Sequence, residues 1–126
     1  MIDIRCMDSS AWLGYYFAEF SQVKDIVDGE TILITSSLSL FEIKKKLLSL
    51  KKDPQVFLEF IKERSEIIET TIEITEKAAE LAIQKKLAAM DALIYTTACM
   101  HDALLITADS DFAHCQNVLF LIEKKN

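Results

Sequence analysis

Five short runs of apolar and β-branched residues, at positions 4–7, 32–35, 67–70, 104–107 and 118–122, have the length and composition of strands. Between them the apolar positions recur at helical spacing, over 10–28, 38–52, 54–64, 75–86 and 90–101. The segment 38–52 shows it best. Leu40, Ile43, Leu47 and Leu50 share one face there, and Lys44, Lys45, Lys46, Lys51 and Lys52 cover the rest. Pro54 stands where it would open the next helix. Strands alternating with helices long enough to cross back predict an α/β protein, with a mostly parallel sheet covered on both faces.

At 126 residues the chain is expected to form one domain spanning 1–126. Its 51% hydrophobic content is enough for one core without disulfide staples. Two glycines and one proline predict short loops. No apolar stretch approaches the roughly 20 residues of a bilayer span, so no signal peptide, transmembrane helix or membrane association is expected. Cys6, Cys99 and Cys115 cannot all pair with one another, which points to a reducing, cytoplasmic setting.

In parallel sheets, ligands bind at the carboxyl ends of the strands, where strand order reverses. Several acidic residues obey that rule. Asp8 directly follows the first strand, Glu42 lies in the first helical turn after the second, and Asp109 comes two residues beyond the fourth. Asp91 opens the helix leading into the fourth strand and reaches the same end only if its connection is short.

Each of these residues also has an ordinary structural role open to it. Asp8 before Ser9-Ser10 is a good N-cap, and Ser39-Leu40-Phe41-Glu42 spells a capping box. Asp91 complements a helix dipole, and Asp109 and Asp111 suit an Asx-turn. Such roles are independent and do not predict convergence, whereas a hard-cation site needs several carboxylates aimed at one point. Asp91 sits among Leu87, Ala88, Ala89, Met90, Ala92, Leu93 and Ile94, so its carboxylate is expected to need a cation or donors.

Net charge is −6, which argues against a nucleic-acid partner until its distribution is considered. If Asp8, Glu42, Asp91, Asp109 and Asp111 share one site, the rest of the chain is close to neutral, and bound divalent ions would invert the charge of the site. Lys44, Lys45, Lys46, Lys51, Lys52, Lys62 and Arg64 read first as solvated helix faces and second as guides for phosphates. Trp12, Tyr15, Tyr16, Phe17 and Phe20 are more aromatics than one helix face hides, so some should pack inward and the remainder serve a partner or an RNA base. A zinc site from Cys99, His101, His114 and Cys115 is disfavoured, because residues at i and i+2 of a helix do not face each other.

Taken together, Met7-Asp8-Ser9-Ser10, Phe41-Glu42-Ile43, Asp91-Ala92-Leu93-Ile94 and Thr107-Ala108-Asp109-Ser110-Asp111-Phe112 resemble the PIN domain, particularly the single-domain VapC toxins. The order and spacing match over essentially the whole chain. The resemblance implies a three-layer α/β/α fold with a four- or five-stranded parallel sheet, and an acidic pocket for Mg²⁺ or Mn²⁺ that cleaves RNA. It carries Asp8, Glu42, Asp91 and Asp109 over as catalytic metal ligands, Asp111 as a variable fifth acid, and Ser10 and Thr107 as supporting hydroxyls. It also implies a homodimer and a cognate antitoxin. Where relatives often have a Ser or Thr helix cap, this chain has Ala88-Ala89, so Asp91 is read as partly capping its own helix. Two further readings are a non-catalytic PIN-like binding module and an RNA-processing nuclease outside a toxin–antitoxin system. A phosphoacceptor receiver lacks its acidic pair after the first strand, and a haloacid-dehalogenase-type phosphatase would need Asp where position 10 is Ser.

Overall fold

The structure is a computed structural model and describes residues 3–122. Its five strands are β1 (Ile4–Met7), β2 (Ile32–Ser36), β3 (Glu66–Ile68), β4 (Leu104–Thr107) and β5 (Val118–Phe120). They form one sheet in the order β3-β2-β1-β4-β5, with every pairing parallel. Six helices connect them: α1 (Ser9–Tyr16), α2 (Ser21–Asp28), α3 (Ser37–Ser49), α4 (Gln55–Arg64), α5 (Ile72–Lys85) and α6 (Ala89–Met100). The chain moves outward from β1 through β2 to β3, then returns to the other side of β1 for β4. Strand order therefore reverses between β1 and β4, and the crevice expected of such sheets opens at their carboxyl ends.

The period-two alternation of side chains divides the core into two layers. Met7, Leu33 and Ile106 face α1 to α4, where they pack with Trp12, Ile43, Leu47 and Ile61. Their strand neighbours Cys6, Ile34 and Leu105 face the opposite side and pack with Ala78, Ile94, Tyr95 and Phe112. This is the three-layer α/β/α arrangement, five-stranded as the sequence allows. The three cysteines are free thiols, and Cys6 is buried.

Helical spacing over 10–28 predicts one helix, but the structure has two. The chain breaks between Tyr16 and Ser21, where Ala18 adopts a positive φ of 56°. The break folds Phe20 back so that its ring lies where a side chain on Gly14 would begin, 2.5 Å from an ideal Cβ there. Trp12 packs edge-on against Phe57 and Phe60, and its Nε1 donates to Thr35 Oγ1 at 3.0 Å. Tyr16 and Phe17 stay exposed.

Two start signals also shift. Helix α3 is capped by Ser36, whose side chain accepts from the Leu38 N–H, so Ser39 is an internal residue and the expected capping box does not form. Glu42 consequently stands in the second turn of α3 rather than the first, with its carboxylate free for other partners. Arg64 is not a phosphate guide. Its guanidinium donates to the carbonyls of Ile26, Val27, Gly29 and Thr31, closing the orphaned end of α2.

Candidate functional site

Asp8 leaves the end of β1 and is 97% shielded from solvent, with only 3% exposed. It occupies the N-cap position of α1 but makes no side-chain cap bond, so the capping role open to it from sequence is not the one it plays. Its Oδ2 accepts instead from Ser10 Oγ and from Thr107 Oγ1, both at 2.7 Å. Each hydroxyl in turn accepts a backbone N–H, Ser10 from Ala108 at 2.9 Å and Thr107 from Asp109 at 3.0 Å. Both hydroxyl protons are thus committed to Asp8, and the 3.1 Å approach of Ser10 Oγ to Thr107 Oγ1 follows from sharing one acceptor. Burial pushes the Asp8 carboxyl above its ordinary range, and the two hydroxyls pull it back.

Asp109 follows β4 and caps the short 3₁₀ turn Ser110–Phe112 by accepting the Asp111 N–H at 2.9 Å. The Asx-type bond anticipated there exists, and it holds Asp109 and Asp111 on one rim. Asp91 reaches the same rim. Lys86, in the left-handed conformation, closes α5, and only Lys86, Leu87 and Ala88 separate that helix from α6. Ala88 is the N-cap of α6 and provides no side-chain bond. Asp91 lies in the first turn and does not cap its helix, contrary to the sequence reading.

One carboxylate oxygen from each of Asp91, Asp109 and Asp111 can be chosen so that all three lie within 4.8 Å of one another. Among the described residues this is the one grouping of His, Cys, Asp or Glu side chains with such mutual proximity. Asp8 and Glu42 stand outside the mutual triplet but feel it. Burial raises the Glu42 carboxyl, the hydroxyl of Ser9 lowers it, and Asp8 and Asp109 raise it further. Asp91 is raised to about 6, first by burial and then by Asp109, Asp8, Asp111 and Glu42. Three of the five acids expected from sequence, Asp91, Asp109 and Asp111, therefore come together, and the charges of Asp8 and Glu42 act on them.

Ser9 is the residue that sequence reasoning passed over. Its Oγ donates to Glu42 Oε1 at 2.9 Å, bridging positions 33 apart and orienting the one acid delivered from α3. Its adjacency to Asp8 was the available signal, but the bond depends on how α1 and α3 pack. The histidines play local parts: His101 Nδ1 lies 2.9 Å from the Thr97 carbonyl, and His114 Nε2 pairs with the Lys85 carbonyl.

An all-oxygen set of carboxylates from separate elements is what hard divalent cations require, and its crowding has a physical consequence. Burial and the four carboxylates around it raise the Asp91 carboxyl to about 6, and a bound dication would relieve that repulsion. The residues present fit Mg²⁺ or Mn²⁺.

The model of the PIN domain family matches residues 5–117, and the chain belongs to that family. Its fold is shared with a toxin–antitoxin complex from Klebsiella pneumoniae, at 21% identity and TM-score 0.75, covering 91% of this chain and 95% of that one. VapBC2 from Rickettsia felis, solved bound to a DNA fragment from its promoter, is similar at 21% identity and TM-score 0.77, covering 94% and 99%. VapC20 of Mycobacterium tuberculosis, a toxin that cleaves the sarcin-ricin loop, is similar at 16% identity and TM-score 0.69, covering 98% and 100%. A search of curated proteins gives no match. Among the described residues, no helix is long and apolar enough to cross a membrane.

Proposed function

We propose that this protein is a ribonuclease dependent on Mg²⁺ or Mn²⁺ that hydrolyses RNA phosphodiester bonds, and that it is the toxin of a toxin–antitoxin pair. The observation that carries the reading is the convergence of Asp91, Asp109 and Asp111 within 4.8 Å, with Asp8 and Glu42 coupled to them. Asp8, Glu42, Asp91 and Asp109 are the catalytic acids in this reading, and Asp111 is a further ligand. A dication held by these carboxylates would supply Lewis acidity and an activated water for phosphodiester hydrolysis. The chain's own residues supply position. Ser10 and Thr107 fix the buried Asp8 carboxylate, Ser9 aims Glu42, and the Asp109 turn sets the rim. Rigid placement of this kind lowers the reorganisation needed when charge develops on the phosphate oxygens.

The structural neighbours that are toxin–antitoxin complexes support a protein antitoxin as partner, and the homodimer expected from sequence belongs to the same reading. The exposed Tyr16 and Phe17 offer apolar surface for such contacts. The test is cleavage of RNA by the parent and by Asp91→Asn, with Mg²⁺ or Mn²⁺. Metal-dependent cleavage by the parent alone is expected; equal cleavage by both rejects the proposal. A non-catalytic binding module would gain no stability from Mn²⁺, whereas a metal site filled at a hundred times its Kd adds about 2.7 kcal/mol.

A further inference from the structure

Beside the acidic crevice, on the α3 side, runs an open groove lined by Phe41, Glu42, Lys45, Lys46, Ser49 and Met90. It joins the candidate site through Glu42, which forms one wall of the groove and is bonded to Ser9 in the crevice. Phe41 is 58% exposed, more than Phe17 or Phe60, the other exposed phenylalanines among the described residues. Lys45 Nζ lies 6.0 Å from the centre of the Phe41 ring, at the outer limit of a cation–π contact. The groove thus offers an aromatic face and two ammonium groups immediately next to a cluster of carboxylates.

We propose that this groove is a binding subsite for single-stranded RNA, in which an unpaired base stacks on Phe41 and the adjoining phosphates meet Lys45 and Lys46. The inference rests on the ribonuclease reading above and adds where the strand lies. Charge argues for this occupant. A polyanion approaching five acids needs compensating cations, and Lys44-Lys45-Lys46 places them on one flank of the crevice in a chain that is otherwise acidic. Stacking on an exposed ring requires a base free of its duplex partner, which selects single-stranded or looped RNA. A second copy of the chain docking through the same helix face would set two lysine clusters against each other, which disfavours that occupant.

The test measures binding of a short fluorescein-labelled oligouridylate by anisotropy, in the Asp91→Asn background with Mn²⁺ so that the RNA stays intact. Phe41→Ala is expected to raise Kd about tenfold, and Phe41→Trp to restore it, in keeping with the stacking energies of bases on aromatic side chains. Replacing Lys45 and Lys46 together by Ala is expected to reduce the slope of log Kd against log salt by about 1.4, two single-strand phosphate contacts. Phe41 is at the surface, so thermal melts of the variants should match their background. An unchanged Kd for Phe41→Ala overturns the subsite. So does a loss of dimer in sedimentation with RNA affinity intact, which would make this face a contact between copies. If the otherwise unmodified chain cleaves RNA while Phe41→Ala binds and cleaves equally well, only the subsite falls; if no RNA is cleaved with either metal, the ribonuclease reading falls.

Discussion

Thr107 Oγ1 donates to Asp8 Oδ2 at 2.7 Å, joining the ends of β4 and β1 across 99 positions of sequence. These two strands flank the point where strand order reverses, so the bond closes the floor of the crevice. It also supplies one of two hydroxyl protons that offset the burial of Asp8. Because Thr107 simultaneously accepts the Asp109 N–H, one hydroxyl ties two of the candidate acids together.

Thr107→Val keeps the shape and removes that hydroxyl, leaving a buried carboxylate with one fewer donor. Hydrogen bonds to charged groups contribute roughly 1.5–3 kcal/mol, and the variant should lose stability of that order at neutral pH. Chemical denaturation of parent and variant checks it. The loss should shrink in acid, where Asp8 is protonated, and a loss that does not depend on pH would attribute the effect to packing alone.

Ser9 acts through Glu42 and is expected to behave as a positioning residue. Ser9→Ala frees the carboxylate of an acid on a helix surface; at about 1 kcal/mol for such a bond, kcat/KM for RNA cleavage should fall roughly fivefold. Ser9→Thr retains the hydroxyl and should recover most of it. A threonine variant as impaired as the alanine one, with melting temperatures unchanged, would remove Ser9 from the site.

Much of this geometry was legible along the chain. An Asp placed at the carboxyl end of an apolar run must emerge at one edge of a parallel sheet, which is why Asp8 and Asp109 could be assigned together. Asp91 depended on a short connection, and the three residues after α5 provide it. Other features were hidden because they belong to tertiary contacts or to competing local signals. Ser36, Ser37 and Ser39 are all chemically able to cap α3, and the sequence does not rank them. The break after Tyr16 has no Gly or Pro to mark it; it is fixed by Ala18 in a conformation that alanine rarely adopts and by Phe20 packing on Gly14. Arg64 looked like one more solvated cation because its carbonyl partners lie 33 to 38 positions away.

That capping role makes its own prediction. Arg64→Ala should destabilise the fold by about 1–3 kcal/mol, since several carbonyls at the end of α2 lose their donor while partly withdrawn from water. Arg64→Lys should rescue little, because an ammonium cannot reproduce a planar fork of donors. RNA affinity measured on the folded fraction should be unaltered. A variant with normal stability and weakened RNA binding would return Arg64 to the basic surface.

The crowding of acids fixes the sign of the pH dependence. The Asp91 carboxyl is held up at about 6 against an ordinary value of 3.8, so between those limits the folded chain binds a proton that the unfolded chain releases. Stability from this source is complete below about 4 and is lost as pH rises through about 6; Glu42 and Asp8, also raised, act in the same sense. The metal-free protein should therefore melt at a higher temperature at pH 5 than at pH 7.5. Asp91→Asn should flatten that difference and exceed the parent in stability at pH 7.5, while abolishing cleavage. Mn²⁺ competes with the proton for the same oxygens, so it should stabilise the parent strongly at pH 7.5 and weakly at pH 5. Calorimetric melts at the two pH values, with Mn²⁺ and with a chelator, test all three statements. A parent that is more stable at pH 7.5 than at pH 5 without metal, with no response to Mn²⁺, would mean that these carboxylates neither repel one another nor share an ion.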